Sequence, residues 1–247
     1  MNIPLLDWIH PGRLASRAVD KIRSKGIIPA GPFRGFPASE EALGGNWSHL
    51  LGIYEIQLHD VIESLLKRQY NLIIDVGGAS GYYAVGFALR QSETRVIVFE
   101  SESRLQAVIG SYARNSGVAS QLDIRGHCHP EDLLAAIREE RQGLLVMDCE
   151  GGERELLGDG LLDALNDWRI LVELHDWHAP GAAEEIHKRF QNTHVITEIW
   201  TRELKASDFN FMLSWPMTYF CLPYLRRMCS EGRGAPMRFF LMEPKTA

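Results

Sequence analysis

No stretch of the 247-residue sequence approaches the roughly 18 consecutive apolar residues that a membrane-spanning helix needs. No membrane partner is therefore expected. The opening MNIPLLDWIHPGR lacks both a long apolar core and a small-residue cleavage site, so no secretory leader is expected either. Only four cysteines occur, Cys128, Cys149, Cys221 and Cys229, and none are spaced as CxxC. That excludes a disulfide framework and fits a reduced, cytoplasmic setting. Basic residues are in the minority, 26 Lys and Arg against 32 Asp and Glu, leaving a net charge of −6. Such a balance argues against a protein built to hold nucleic acid. The exception is local: Arg13, Arg17, Lys21, Arg23, Lys25 and Arg34 crowd the N-terminal part. A solvated helix face accounts for them, and contact with an anionic partner is the other use they could have. Internal repeats and low-complexity tracts are missing as well.

What is present is ordinary for one large globular domain with an extension: 45% hydrophobic and 23% charged residues. Residues 1–47 read as an N-terminal helical and irregular extension, with a short basic helix at 13–25. Residues 48–247 read as the main domain. It opens on SHLLGIYEIQLHDVIESLLKR (48–68), whose apolar spacing predicts one helix. Strand-like and helix-like segments then alternate. LIID (72–75), RVIVFE (95–100), LDI (122–124), GLLVMD (143–148) and RILVELH (169–175) are expected strands. Helices are expected at 81–91, 103–115, 130–140, over RELLGDGLLDAL and at 182–190. Alternation of this kind predicts an α/β fold with a mainly parallel sheet and helices on both faces. HVITEIWTREL (194–204) and MRFFLMEP (237–244) follow without a crossover helix, predicting an antiparallel C-terminal edge. Between them FNFMLSWPMTYFCLPY (209–224) shows no clean period. It reads as core packing or as a contact between two copies in a homodimer, and a part in the substrate pocket or a lid is the alternative.

The chemistry begins at NLIIDVGGASGYYA (71–84). A strand runs into Asp75, and Gly77, Gly78 and Gly81 follow before a helix. Glycines there let a backbone come close to a ligand, and this is the end of a parallel sheet where ligands bind. A dinucleotide fingerprint would need glycine where Val76 stands, and an acid opening the loop opposes a pyrophosphate. S-adenosylmethionine (SAM) instead brings an ammonium and a sulfonium, which suit Asp75. Glu100, ending the second strand with Ser101 after it, can accept hydrogen bonds from two ribose hydroxyls. A second strand end reads VMDCEGGE (146–153), where Asp148 and Glu150 call for a ligand, a metal or water. The plainer reading has Asp148, Glu150 and Glu153 serving the positive end of the next helix.

Together these segments resemble the FkbM-type SAM-dependent methyltransferases over about residues 50–180. The family's DVGANxG is similar to Asp75–Gly81 and its KIDVEGxE to Val146–Glu153, with Ala79 and Val146 standing where the family has asparagine and lysine. GIYE (52–55), FE (99–100) and VELH (172–175) also sit where the family has similar segments. The resemblance implies a Rossmann-like class I methyltransferase sheet, SAM as cofactor, and O-methylation of a small molecule such as a sugar or natural product.

Methyl transfer to a hydroxyl needs in-line alignment and somewhere for the proton to go. His175 and His178 are candidate bases, and Asp148 is a candidate catalytic acid group. Alternatively Asp148 with Glu173 and His175, two apart on one face of a neighbouring strand, could hold Mg²⁺ or another divalent metal. That arrangement resembles catechol-type O-methyltransferases in position. Gly126 and His127 of GHCHP could line the adenine pocket, and Tyr54 could cover the cofactor. The competing readings are an NAD(P)-dependent oxidoreductase and a non-catalytic module that binds SAM or a nucleotide.

Overall fold

A computed structural model describes residues 10–38, 46–230 and 235–245. In chain order the elements are α1 (Pro11–Arg23), α2 (Trp47–Leu51), α3 (His59–Leu65), β1 (Leu72–Val76), α4 (Tyr82–Arg90), β2 (Arg95–Phe99), α5 (Ser103–Asn115) and β3 (Leu122–Arg125). They continue with α6 (Pro130–Ile137), β4 (Leu144–Met147), α7 (Glu153–Leu156), α8 (Leu162–Leu165), β5 (Arg169–Leu174), α9 (Ala182–Phe190), β6 (His194–Trp200), α10 (Trp215–Met228) and β7 (Arg238–Pro244). The chain groups into two compact units. One takes Met1–His59 and Arg202–Gly234, and the other takes Asp60–Thr201 and Ala235–Ala247.

The second unit holds a seven-stranded sheet in the order β3-β2-β1-β4-β5-β7-β6. The first five strands are parallel, and β7 runs antiparallel to both β5 and β6. Every residue of β1, β4 and β5 is buried, which is why these strands read as near-continuous apolar runs, interrupted only by Asp75, Arg169 and Glu173. Leu145, Met147, Ile170 and Val172 pack with Trp168, Ile186 and Phe190 in the core on one side. Strand order reverses between β1 and β4, and a crevice opens there at the carboxyl ends of the strands. That reversal places the two acid-and-glycine motifs side by side.

Two expected elements differ. The single helix over 48–68 is broken. Gly52 caps α2 in the left-handed region at φ 67, and a Cβ there would lie 2.1 Å from the Ala30 carbonyl oxygen. The chain then turns through Glu55 (φ 44) and a 3-10 turn, Ile56–Leu58, before α3 starts. Likewise RELLGDGLLDAL splits into α7 and α8 around Gly158 and a 3-10 turn.

In the first unit, the aperiodic aromatic stretch forms the helix α10, with Pro216 in its first turn and Pro223 inside it. Its inward face is small and aliphatic, Thr218, Cys221 and Leu225, and the last two pack with Ala15, Val19 and Ile22 of α1. The aromatic residues Trp215, Tyr219 and Phe220 point out to solvent, while the partly exposed Tyr224 lays its ring edge-on to His10 at the start of α1. Core packing therefore does not describe them, whereas Phe209 ahead of the helix is fully buried. α1 itself starts on His10, whose Nδ1 accepts the Gly12 N–H at 3.2 Å.

Candidate active site

The glycine loop is shaped first by its protein neighbours. Gly77 has φ 89, and a Cβ on it would sit 1.7 Å from the carbonyl oxygen of Asp148. A Cβ on Gly78 would fall 2.3 Å from Val98 Cγ1, inside the van der Waals radius of β2's side chain. Gly81 (φ 83) is the N-cap of α4. Ala79 also lies in the left-handed region, at φ 44, where Asn or Gly is easier and alanine costs about 1 kcal/mol.

Glu100 holds the loop in place. Its Oε2 accepts the Ala79 N–H at 2.7 Å and its Oε1 the Glu102 N–H at 2.8 Å. A carboxylate has about four acceptor sites, so each oxygen can still take another donor. Asp75 lies at the end of β1 and is only 3% exposed, with Oδ2 lacking a hydrogen-bond partner. Burial pushes its carboxyl up to about 7. The charges of Asp148 and Glu100 add to the rise, and the Ala84 backbone N–H opposes it.

A cavity of about 440 Å³ opens beside the loop, at the carboxyl ends of β1, β2 and β4. Gly77, Glu100, Ser101, His127 and Asp148 line it, together with Ala79. Gly78, Gly81, Gly126 and Asp75 are not in its walls, and Tyr54 belongs to the other compact unit. Five carboxylate residues face the cavity, Glu100, Glu102, Asp148, Glu150 and Glu155, and no lysine or arginine does among the described residues.

The second motif builds a cluster around one histidine. The Asp148 N–H donates to the Val76 carbonyl at 2.9 Å, which fixes the start of the loop after β4. Glu150 (φ 54) and Gly151 (φ 110) then turn the backbone through the left-handed region, a conformation that costs a non-glycine residue about 1 kcal/mol or more. Glu153, fully buried at the head of α7, uses Oε1 to accept the N–H groups of Cys149 (3.3 Å) and Gly151 (3.1 Å). The same oxygen accepts His175 Nδ1–H at 2.7 Å. His175 Nε2 in turn lies 3.6 Å from Asp148 Oδ1 and 3.4 Å from Glu150 Oε2.

Burial alone would lower the His175 pKa, but the hydrogen bond and charge of Glu153, with Asp148 and Glu150, raise it above its ordinary 6.5. Burial pulls Glu153 the other way, yet His175 and the Gly151 N–H hold it below its ordinary 4.5. The two shifts oppose each other in sign, so the contact favours the charged form of each partner.

Ligand atoms of Asp148, Glu150 and His175 all lie within 4.8 Å of one another. Glu173 and Asp148 also come within 4.8 Å, in a separate grouping. Glu150 thus stands with Asp148 and His175 where the sequence pointed to Glu173. His178 is exposed. Its Nδ1–H donates to the Glu150 carbonyl at 3.2 Å, and its ring stacks 6.2 Å from that of His175. In GHCHP, His129 and Asp132 form the capping box that starts α6. Burial pushes the Cys128 thiol up to about 12, and burial with the charges of Glu153 and Asp148 raises that of Cys149 as well.

Glu153 is the residue the sequence did not single out as a working part, and Glu150, read with Asp148 as an acid calling for a ligand, was not placed beside His175. The signal for Glu153 was its place in the VMDCEGGE motif, where helix capping explained it equally well. Glu150 needed the positive φ, which no local pattern announces.

No known family profile and no curated protein matches the sequence. Among solved structures, the chain is similar to the O-methyltransferase TomG from Streptomyces achromogenes, involved in tomaymycin synthesis and crystallised with SAM. The TM-score is 0.53 at 13% identity, over 83% of this chain and 90% of that one. It is also similar to an O-methyltransferase from Bacillus cereus in complex with SAH, with a TM-score of 0.49 at 10% identity, over 92% and 91% of the two chains. The sheet order and the likeness to TomG define the fold as the Rossmann-like one of class I SAM-dependent methyltransferases.

Proposed function

We propose that this chain is a SAM-dependent methyltransferase that methylates a hydroxyl of a small molecule, in the manner the FkbM resemblance implies for sugars and natural products. One observation carries the reading. The cavity at the switch point is lined by five carboxylate residues and, among the described residues, no lysine or arginine. A pyrophosphate would be repelled there, whereas an ammonium and a sulfonium would be attracted. The donor set therefore fits SAM and disfavours NAD(P). Glu100, already held by two backbone N–H groups, keeps acceptor capacity for ribose hydroxyls. Asp75, buried beneath the loop with its carboxyl raised to about 7, is an acid that a nearby cation would draw into its charged form.

When bound, the cofactor supplies an activated methyl group on sulfur. The chain's task is to orient the acceptor oxygen in line and to take its proton. His175, with Nδ1 engaged by Glu153, has its Nε2 turned toward Asp148 and Glu150. Asp148, 37% exposed and lining the cavity, can accept that proton. A divalent ion such as Mg²⁺ is an added reading. Asp148, Glu150 and His175 would hold it, with Glu153 behind the histidine in the position such sites use to orient a ligand, and its Lewis acidity would acidify the hydroxyl.

The test is isothermal titration of the purified chain with SAM and, separately, with NAD⁺, repeated on Glu100→Ala. Micromolar SAM binding that weakens at least tenfold in the variant, with no heat from NAD⁺, is the expected outcome. Binding of NAD⁺ in preference to SAM overturns the proposal.

A further inference from the structure

At the opposite end of the sheet, the segments entering β1, β4 and β5 enclose a second cavity of about 160 Å³. It shares no lining residue with the first. Two guanidinium groups, Arg68 and Arg169, face it with the phenol of Tyr70 and the amides of Gln69, Asn71 and Gln142. No carboxylate lines it among the described residues.

Two of these groups are buried with donors unused. Arg169 is 6% exposed, and its Nε has no hydrogen-bond partner. The nearest carboxylate oxygen, on Glu243, is 3.8 Å from Nε, beyond hydrogen-bond reach. Tyr70 is 5% exposed, and its hydroxyl also lacks a partner. Burial pushes the phenol up to about 12 although both arginines pull it down, so it stays protonated and can donate. The amides of Gln69 and Asn71 are spoken for, on Thr94 at 3.1 Å and Glu140 at 3.4 Å. Buried donors left unmade are costly, and such atoms in a native fold ask for an acceptor.

We infer that this cavity is a binding site for a small oxyanion, a phosphate that is either free or the end group of a small phosphomonoester. A volume of about 160 Å³ holds roughly five waters at about 30 Å³ each, enough for one tetrahedral anion and too little for a nucleotide. Arg169 from below and Arg68 from the rim supply charge-assisted hydrogen bonds, and Tyr70 adds a neutral donor. Glu243 has a half-exposed carboxylate that can turn to solvent as the anion takes over Arg169.

The experiment is thermal unfolding and isothermal titration of the full chain with sodium phosphate and with glycerol 3-phosphate, against sodium chloride at matched ionic strength. The expected result is a saturable rise in Tm with phosphate and none with chloride. Arg68→Gln should weaken phosphate binding at least fivefold. Tyr70→Phe should weaken it too while raising Tm in phosphate-free buffer, because it removes an unsatisfied hydroxyl. Equal affinity for the two probes assigns the site to the anion itself, and tighter ester binding assigns it to a small organic phosphate. Equal Tm in phosphate and chloride overturns the inference. So does a phosphate effect that survives both substitutions but disappears in Arg17→Gln, which would put the anion at the basic N-terminal helix instead.

Discussion

Asp75 shows how one buried side chain trades stability for a site. Its carboxyl is raised from 3.8 to about 7, so the folded form keeps its proton over a range in which the unfolded chain has lost it. A raised folded pKa means stability is fully present below pH 3.8 and is lost as pH climbs through 7. Asp75→Asn escapes that loss. In cofactor-free protein it should gain on the parent by about 3 kcal/mol between pH 5 and pH 8, read from urea unfolding at both, while SAM binding weakens.

The Glu153–His175 pair runs differently. The histidine's share is present below 6.5 and fades as pH rises through its raised folded value, while the glutamate's share is present above 4.5 and fades on acidification. Glu153→Gln should therefore cost about 2 kcal/mol near pH 6 and clearly less at pH 9, by the same unfolding measurement. At Asp148, substitution by Asn should cut turnover about 10²-fold. Full turnover with SAM affinity intact would remove that acid from the mechanism.

Among the elements, the parallel strands were the most legible, because burial on both faces leaves an apolar run that polar alternation does not confuse. LLVM and RILVEL announce themselves, and the acid that ends each motif marks the sheet's mouth. The break between α2 and α3 was hidden, since its cause is a contact with Ala30, some twenty residues away in sequence. Gly52→Ala should accordingly cost about 2 kcal/mol and lower Tm by roughly 4–8 °C, measurable by circular dichroism. Helix α10 was hidden for another reason: its aromatics, which dominate any hydropathy pattern, face solvent, and the narrow inward stripe is only Thr218, Cys221 and Leu225. In the site, Asp148, Glu100 and His175 were legible as strand-end residues. The alliance of Glu150 with them depends on a backbone turn at φ 54 that only the folded chain specifies.

For the molecule as a whole, the acidic cavity makes a prediction independent of any acceptor. A ligand that binds only the native state at 100 times its Kd adds about 2.7 kcal/mol of stability. SAM at such excess should raise the unfolding midpoint by several degrees, and NAD⁺ at the same concentration should leave it unmoved. Scanning fluorimetry of the intact chain decides between them. The close seating of Gly77 on the Asp148 carbonyl, 1.7 Å from where a Cβ would stand, has a further meaning for anyone recasting this pocket by directed evolution. The glycine loop and the acid loop behave as one moulded piece, so a library that randomises position 77 spends its diversity on misfolded clones. Glu150 has its side chain largely in solvent, so variation there meets no such wall, and it retunes the charge of the cavity that Glu150 lines.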